Sequence, residues 1–260
     1  MKSGNKKESL FNSGVALVVG GSGGLGRAIC QKFGELGSDV VITYNGNKEA
    51  AISLSNELEK LGRLSTALQM SLDDPKTINQ IVGEIIDKYG SIHSLVYTVG
   101  PDIGQPYVND VSYEEWLKVM SVEPIGFFNI VKATLPYLRI SRGSIVSVTS
   151  AATMRYAPRD ILSAGPKASV NMLTTAIARE EGRYGIRANI VAPGFISAGL
   201  GQQLLENVIS EKEKIAIEKA SALKRIGTAE EVAEVVLFLA SKKASLVTGQ
   251  IIATDAGYTA

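Results

Sequence analysis

Residues 15–26 read Val-Ala-Leu-Val-Val-Gly-Gly-Ser-Gly-Gly-Leu-Gly, so five of the seven residues from Gly20 to Gly26 are glycine. A turn without Cβ atoms lets the main chain approach a bulky anion. Val15 to Val19 is a continuous apolar run, which suits a strand buried on both faces. Beyond the turn, Leu25, Ile29, Phe33 and Leu36 recur at helical spacing, so the glycines open onto a helix start. Amides in a first helical turn have no partner within the helix and attract negative charge. Strand, turn and helix together predict a pyrophosphate cradle formed by Gly20, Ser22, Gly23, Gly24, Leu25 and Gly26. The spacing Gly20-x-x-x-Gly24-x-Gly26 departs from the G-x-G-x-x-G order of many dehydrogenases. A second loop bears on the same ligand. An acidic residue after the second strand would bind the adenosine ribose and select NAD. The loop reads Tyr44-Asn45-Gly46-Asn47-Lys48 and has no acid. Asn45, Asn47 and Lys48 suit a 2′-phosphate, so the expected cofactor is NADP rather than NAD.

Such residues need a frame, and the chain alternates strand and helix patterns from end to end. Strands are expected at Asp39 to Thr43, Leu64 to Met70, Ser94 to Val99, Ser144 to Val148, Arg187 to Ala192 and Gln250 to Thr254. Between them come helical stretches. Lys48 to Leu61 ends at Gly62, and a helix capped by Asp73 or Asp74 with Pro75 in its first turn runs to Tyr89, before Gly90. Ser112 to Leu138 is a long helical stretch with an early kink at Pro124. Lys167 to Tyr184 is helical, and Thr228 caps a helix running to Leu239. The alternation predicts an α/β fold, a Rossmann-type doubly wound parallel sheet of about seven strands with helices on both faces. Ligands of such sheets sit at the carboxyl ends of the strands. Residues 197–222 read as a helical lid, with an apolar stripe of Leu200, Leu204, Leu205, Val208 and Ile209. Residues 1–12 read as a flexible tail ahead of a single domain at 13–260.

Composition narrows the function. The 260 residues are 45% hydrophobic, and the formal net charge is +1. Balanced charge favours neither nucleic acid nor an anionic membrane surface. One cysteine, Cys30, allows no disulfide within the chain and fits a core position in a protein of the reducing cytoplasm. One histidine, His93, and no Cys/His cluster argue against zinc. No apolar run approaches the ~20 residues that cross a bilayer.

Taken together, these motifs resemble the short-chain dehydrogenase/reductase family over residues 14 to about 258. The resemblance rests on Gly20-x-x-x-Gly24-Leu25-Gly26, Gly100 after the fourth strand, Ser150 after the fifth, and Lys167. It rests further on Arg187-Ala-Asn-Ile-Val-Ala-Pro-Gly-Phe-Ile and on the closing Val247-Thr-Gly-Gln-Ile-Ile-x-x-Asp-Ala-Gly. The chain is similar in particular to 3-oxoacyl-carrier-protein-reductase-like members. The resemblance implies a homotetramer or dimer built on the long helices, and a small or acyl-linked substrate. It also implies cofactor contacts at Ser71, Leu72, Val99, Gly100, Lys167, Pro193, Gly194 and Ile196, beside the glycine turn, Tyr44 and Asn45. In such enzymes a serine polarises the substrate oxygen, and a tyrosine four residues before a lysine delivers the proton. The lysine holds the nicotinamide ribose, and a helix asparagine supports a water relay to it.

This sequence keeps the serine as Ser150 and the lysine as Lys167. Ser163 stands where the tyrosine is expected, and Glu123 where the asparagine is. Tyr97-Thr98-Val99-Gly100 stands in place of the usual Asn-Asn-Ala-Gly. Ala198, beside Ser197, takes the place of the threonine that meets the carboxamide. A serine hydroxyl does not ionise near neutrality, so Ser163 alone is a poor acid. Tyr156, on the loop before the helix, is the candidate replacement. A second reading is a conjugated enone or enoyl substrate, whose enolate oxygen Ser150, Thr149 or Lys167 would stabilise. Relatives of that kind carry tyrosine at positions that are Ala152 or Asp160 here. A third reading is a non-redox relative that binds dinucleotide or a partner without hydride transfer. Glu123 either pairs with Lys167 or lies on the helix surface.

Overall fold

The structure, a computed structural model, describes residues 9–260. Seven strands form one sheet in which every pairing is parallel, in the order β3-β2-β1-β4-β5-β6-β7. The strands are β1 (Val15–Val19), β2 (Asp39–Tyr44), β3 (Ser65–Gln69), β4 (Ile92–Tyr97), β5 (Ser144–Val148), β6 (Arg187–Pro193) and β7 (Ile251–Thr254). Every residue of β1, β4 and β5 is buried. That is the reason for their apolar runs: helices cover both faces of the sheet. The sheet's two faces carry two separate cores, one containing Ile29, Phe33 and Val236, the other Ile78, Phe127 and Ile130.

The helices are α1 (Gly24–Glu35), α2 (Lys48–Lys60), α3 (Pro75–Tyr89), α4 (Tyr113–Met120), α5 (Gly126–Ser141), α6 (Ile161–Glu181), α7 (Gly199–Asn207), α8 (Glu211–Ala220) and α9 (Ala229–Ala240). Their ends follow local chemistry. Asp74 caps α3 with Pro75 in its first turn, and Gly90 closes it at φ 76°. Ser112, Ser210 and Thr228 each form a capping box with a glutamate three residues on. Such caps satisfy amides that the helix leaves open.

Several expectations need correction. The long helix from Ser112 is interrupted: Ser121–Ile125 forms a π-helical turn around Pro124. Proline has no N–H to give to the helical ladder, so the ladder slips rather than simply kinking. The sixth helix begins at Ile161, six residues earlier than its apolar pattern suggests, and carries Pro166 inside it. Strand β4 stops at Tyr97, not Val99. Leu36 is exposed, so the inner face of α1 ends at Phe33. The 197–222 segment is helical as expected, in two helices, and α7 has no fully buried residue.

The proposed tail also divides. Residues 1–8 lie outside the described residues. Phe11, in contrast, is 4% exposed and stacks on His93 with ring centroids 5.1 Å apart. Burying such a ring contributes about 2 kcal/mol. Asn12 donates to the carbonyls of Ser141 and Arg142, so this segment is part of the domain. His93 itself lies within 2.8 Å of the Ser38 hydroxyl and 2.9 Å of the Ser94 hydroxyl. Burial lowers its pKa to about 4. A lowered histidine pKa stabilises the fold above the unfolded value near 6.5, and that contribution disappears as pH falls toward 4. We therefore expect acid to cost up to about 3 kcal/mol at this one site. Urea melts at pH 6.5 and 4.5 would measure it, and His93→Gln should narrow the gap between them.

Candidate active site

Strand β1 lies between β2 and β4, so the chain leaves it in opposite directions on its two sides. In doubly wound sheets a ligand crevice opens at such a switch point, at the carboxyl ends of the strands. The glycine turn forms its floor. Gly20 has φ +80°, and a Cβ on Gly26 would lie 2.3 Å from the Gly20 carbonyl oxygen. No side chain caps α1, whose N-cap is Gly23, so its first amides remain available to an anion. The Thr98 hydroxyl donates to the carbonyls of Val19 and Gly20 and ties the end of β4 to the turn. A Cβ on Gly24 would lie 2.4 Å from the Gly199 amide nitrogen, so the start of α7 rests directly on the turn. These features fit the pyrophosphate of a dinucleotide.

The remaining cofactor candidates lie along the same edge, with mixed exposure. Tyr44 is 7% exposed and packs into the core, while Asn45 and Lys48 are exposed. Asn47 is engaged as the N-cap of α2, accepting from Ala50. The Ser71 hydroxyl donates to the Asp73 carboxylate, and the Leu72 carbonyl accepts from Asn129. Val99 and Gly100 are half-buried after β4. Pro193 ends β6, Gly194 donates to Thr254, and Ile196 is buried in a bridge with Gly227.

The chemistry centres on Lys167. Its ammonium meets both oxygens of Glu123, at 2.7 and 2.8 Å. The side chains are 12% and 2% exposed, so this is a buried ion pair and Glu123 is no surface residue. The π-helical turn puts Glu123 there. It exposes main-chain carbonyls, and the Tyr97 hydroxyl donates to those of Val122 and Glu123. Burial raises the Glu123 carboxyl above the usual range, outweighing the lysine beside it. A Cβ on Gly100 would lie 3.6 Å from the Lys167 nitrogen, so glycine there leaves space beside the ammonium.

Ser150 follows β5. Its Oγ accepts from the Ala152 amide at 3.1 Å, which leaves its own O–H free to donate. The Thr149 hydroxyl is buried next to it and has no hydrogen-bond partner among the described residues. Ser163 lies in the first turn of α6, one turn before Lys167. A Cβ on Gly165 would reach within 2.7 Å of the Trp116 ring, so α4 and α6 pack closely here. Tyr156 is not drawn into this group. It is 47% exposed and makes no hydrogen bond among the described residues.

Sequence reasoning missed the role of Asp160 in the geometry. It precedes α6 as its N-cap residue, yet its carboxylate makes no capping bond. Its main-chain carbonyl accepts from the Ser163 and Ala164 amides. Burial lifts its pKa to about 6, with Lys167 pulling it down and Glu123 pushing it up. Arg159 ahead of it is left-handed, with φ 72°, and donates to the Gln105 carbonyl at 2.7 Å. An Asp seven residues before Lys167 was the available signal.

The Enoyl-(Acyl carrier protein) reductase family model matches residues 19–259. The 3-oxoacyl-[acyl-carrier-protein] reductase FabG of Thermotoga maritima is 35% identical over 94% of this chain and 96% of its own length. The protein of the same name from Staphylococcus epidermidis is 32% identical over 93% and 97%. Among solved structures, a short-chain type dehydrogenase/reductase from Mycobacterium ulcerans superimposes with a TM-score of 0.90. It is 25% identical and is covered over 90% of its chain and 96% of this one.

Removing one partner of a buried ion pair strands the other charge, at a cost of about 3–5 kcal/mol. Lys167→Met should destabilise the protein by that order in chemical denaturation. Lys167→Met combined with Glu123→Gln should recover most of the loss.

Proposed function

The chain belongs to the short-chain dehydrogenase/reductase family of oxidoreductases, and on that premise we propose that it is an NADPH-dependent reductase. Its substrate is a carbonyl or conjugated enoyl group on a small or acyl-linked molecule. The observation that carries this reading is the uncapped glycine turn after β1 on the same sheet edge as the Ser150 hydroxyl after β5, with the Lys167 ammonium beside Gly100 after β4.

A bound nicotinamide nucleotide supplies hydride. The glycine turn and the α1 amides would hold its pyrophosphate, with Asn45 and Lys48 at the 2′-phosphate and Val99, Gly100, Pro193, Gly194 and Ile196 toward the nicotinamide. Glu123 uses two of the three ammonium donors of Lys167, so one remains for a ribose hydroxyl. Ser150 donates to the oxygen on which charge develops when carbon accepts hydride, which lowers the barrier. The buried Thr149 hydroxyl is a second donor of the same kind. The relatives named as acyl-carrier-protein reductases support an acyl-linked substrate here.

A homo-oligomer agrees with exposed apolar residues on α5, on α6 and on the π-helical turn ahead of α5, namely Phe128, Met172 and Ile125. Among the described residues no helix is long and apolar enough to cross a membrane. A second reading, dinucleotide binding without hydride transfer, is favoured by one observation: Glu123 already occupies most of the Lys167 ammonium.

Fluorescence titration with NADPH and NADH separates these readings in part. We expect NADPH to bind more tightly, and Lys48→Asp to weaken NADPH about tenfold while leaving NADH unchanged, on the scale of one charge contact. Equal affinity for the two nucleotides in the wild type would remove the 2′-phosphate assignment. Oxidation of NADPH by a panel of 3-oxoacyl and 2-enoyl thioesters supports the reductase, and its absence supports the second reading.

A further inference from the structure

We propose that Thr153 and Asn171 are positioning residues for Ser150, anchoring the serine turn to the helix that carries Lys167; this rests on the reductase reading above. The contacts form a chain with one direction. The Asn171 side-chain amide donates to the Thr153 hydroxyl at 2.9 Å, and that hydroxyl donates to the Ser150 carbonyl at 2.7 Å. Asn171 lies on α6 four residues after Lys167, so the two stand on one face of that helix. Helix α6 thereby supplies the ammonium and, one turn on, the anchor of the serine.

The local structure around Ser150 depends on such an anchor. Ser150 precedes a short helical turn, Ala151–Thr153, and its Oγ is oriented by the Ala152 amide at 3.1 Å. Turns of that length have poor hydrogen-bond geometry and are weak on their own. The Ser150 carbonyl accepts from the Thr153 amide at 3.1 Å as well as from the Thr153 hydroxyl. Loss of the hydroxyl leaves only the bond internal to the turn. The turn can then shift as a unit, and the Ala152 amide that orients the Ser150 hydroxyl shifts with it.

Stability alone does not account for Asn171. It is 8% exposed, and its Oδ1 is buried with no hydrogen-bond partner among the described residues. An orphaned acceptor destabilises, and a leucine of similar shape would bury without that penalty. Nor is the contact required to join β5 to α6: the Ser147 and Thr174 hydroxyls already meet between them at 2.9 Å. The orientation of the amide follows from the chain. Turned over, it would take the Thr153 proton, and the Ser150 carbonyl would lose its second bond.

The first test is independent of turnover and uses amide hydrogen exchange of the full chain. Thr153→Val keeps the shape and removes the hydroxyl. It should speed exchange at the residue 152 and 153 amides about fivefold, on the scale of one hydrogen bond, and leave the α6 amides unchanged. Thr153→Ser should restore the wild-type rates. Unchanged exchange in Thr153→Val overturns the proposal.

The second test is a double-mutant cycle with NADPH and 3-oxoacyl and 2-enoyl N-acetylcysteamine thioesters. Ser150→Ala should lower kcat about 100-fold. Thr153→Val and Asn171→Leu should each lower kcat about tenfold and leave the thioester KM and the NADPH affinity near wild type. Thr153→Ser should recover most of that loss. In a Ser150→Ala background Thr153→Val should have no further effect, because it acts through Ser150. Retained NADPH binding shows that each variant is folded, and Asn171→Leu serves for the cycle if Thr153→Val fails to bind. A Thr153→Val protein with the wild-type kcat, or one whose loss is as large with Ser150→Ala as without it, sinks the positioning role alone. A wild type that binds NADPH but reduces no probe sinks the reductase reading, and the positioning role with it.

Discussion

A sheet covered on both faces has no place for unsatisfied charge within it, and the location of every reactive group in this chain follows from that constraint. The central strands β1, β4 and β5 are buried from end to end. Desolvating a lone ionised group there would cost far more than a strand contributes. Polar chemistry is therefore displaced to the strand ends, where the main chain turns into loops and helix starts. Ser150 stands just past β5, Gly100 just past β4, and the glycine turn just past β1. The parallel pairing brings these three ends to one edge, and Thr98 links two of them through the Val19 and Gly20 carbonyls.

The Lys167–Glu123 pair is the exception that shows how strict this rule is. Two charges are held at 12% and 2% exposure, and each is met by the other at hydrogen-bonding distance on two contacts. Such a pair is tolerated because it is complete, not because it adds much net stability. Local backbone makes it possible. Pro124 breaks the helical ladder, the π-helical turn absorbs the extra residue, and the Tyr97 hydroxyl takes up the carbonyls thus released. Sequence, backbone irregularity and side-chain charge are linked here in one small region.

How much of this was legible in the sequence depended on the range of the interactions involved. The sheet, its parallel sense and the glycine turn follow from apolar runs and a local cluster of glycines, and they are present as expected. Helix ends carried by capping residues, such as Asp74 and Thr228, are equally local. Boundaries set by tertiary packing were not legible. The early start of α6 depends on Gly165 admitting the Trp116 ring, a contact between residues 49 positions apart. Pairing of Glu123 with Lys167 was one of two readings, because 44 residues separate them and only the fold brings them together. Phe11 looked like tail because the ring it stacks on, His93, is distant in sequence. Asp160 stood in a loop among polar residues, and nothing local distinguishes a capping aspartate from one whose carboxylate is withheld from its helix.

The backbone contact between Gly24 and Gly199 has a thermodynamic consequence. With the two main chains in contact, any molecule reaching between them meets a protein that must first part there. Its apparent affinity is then its intrinsic affinity multiplied by the fraction of molecules already parted. Coupling of this kind is reciprocal: whatever steadies the parted form strengthens the occupant, and the occupant in turn favours the parted form. Affinity at the glycine turn thus becomes a property of the 197–222 segment as much as of the turn. Sequence changes far along α7 and α8 can retune it without altering one atom that the ligand touches.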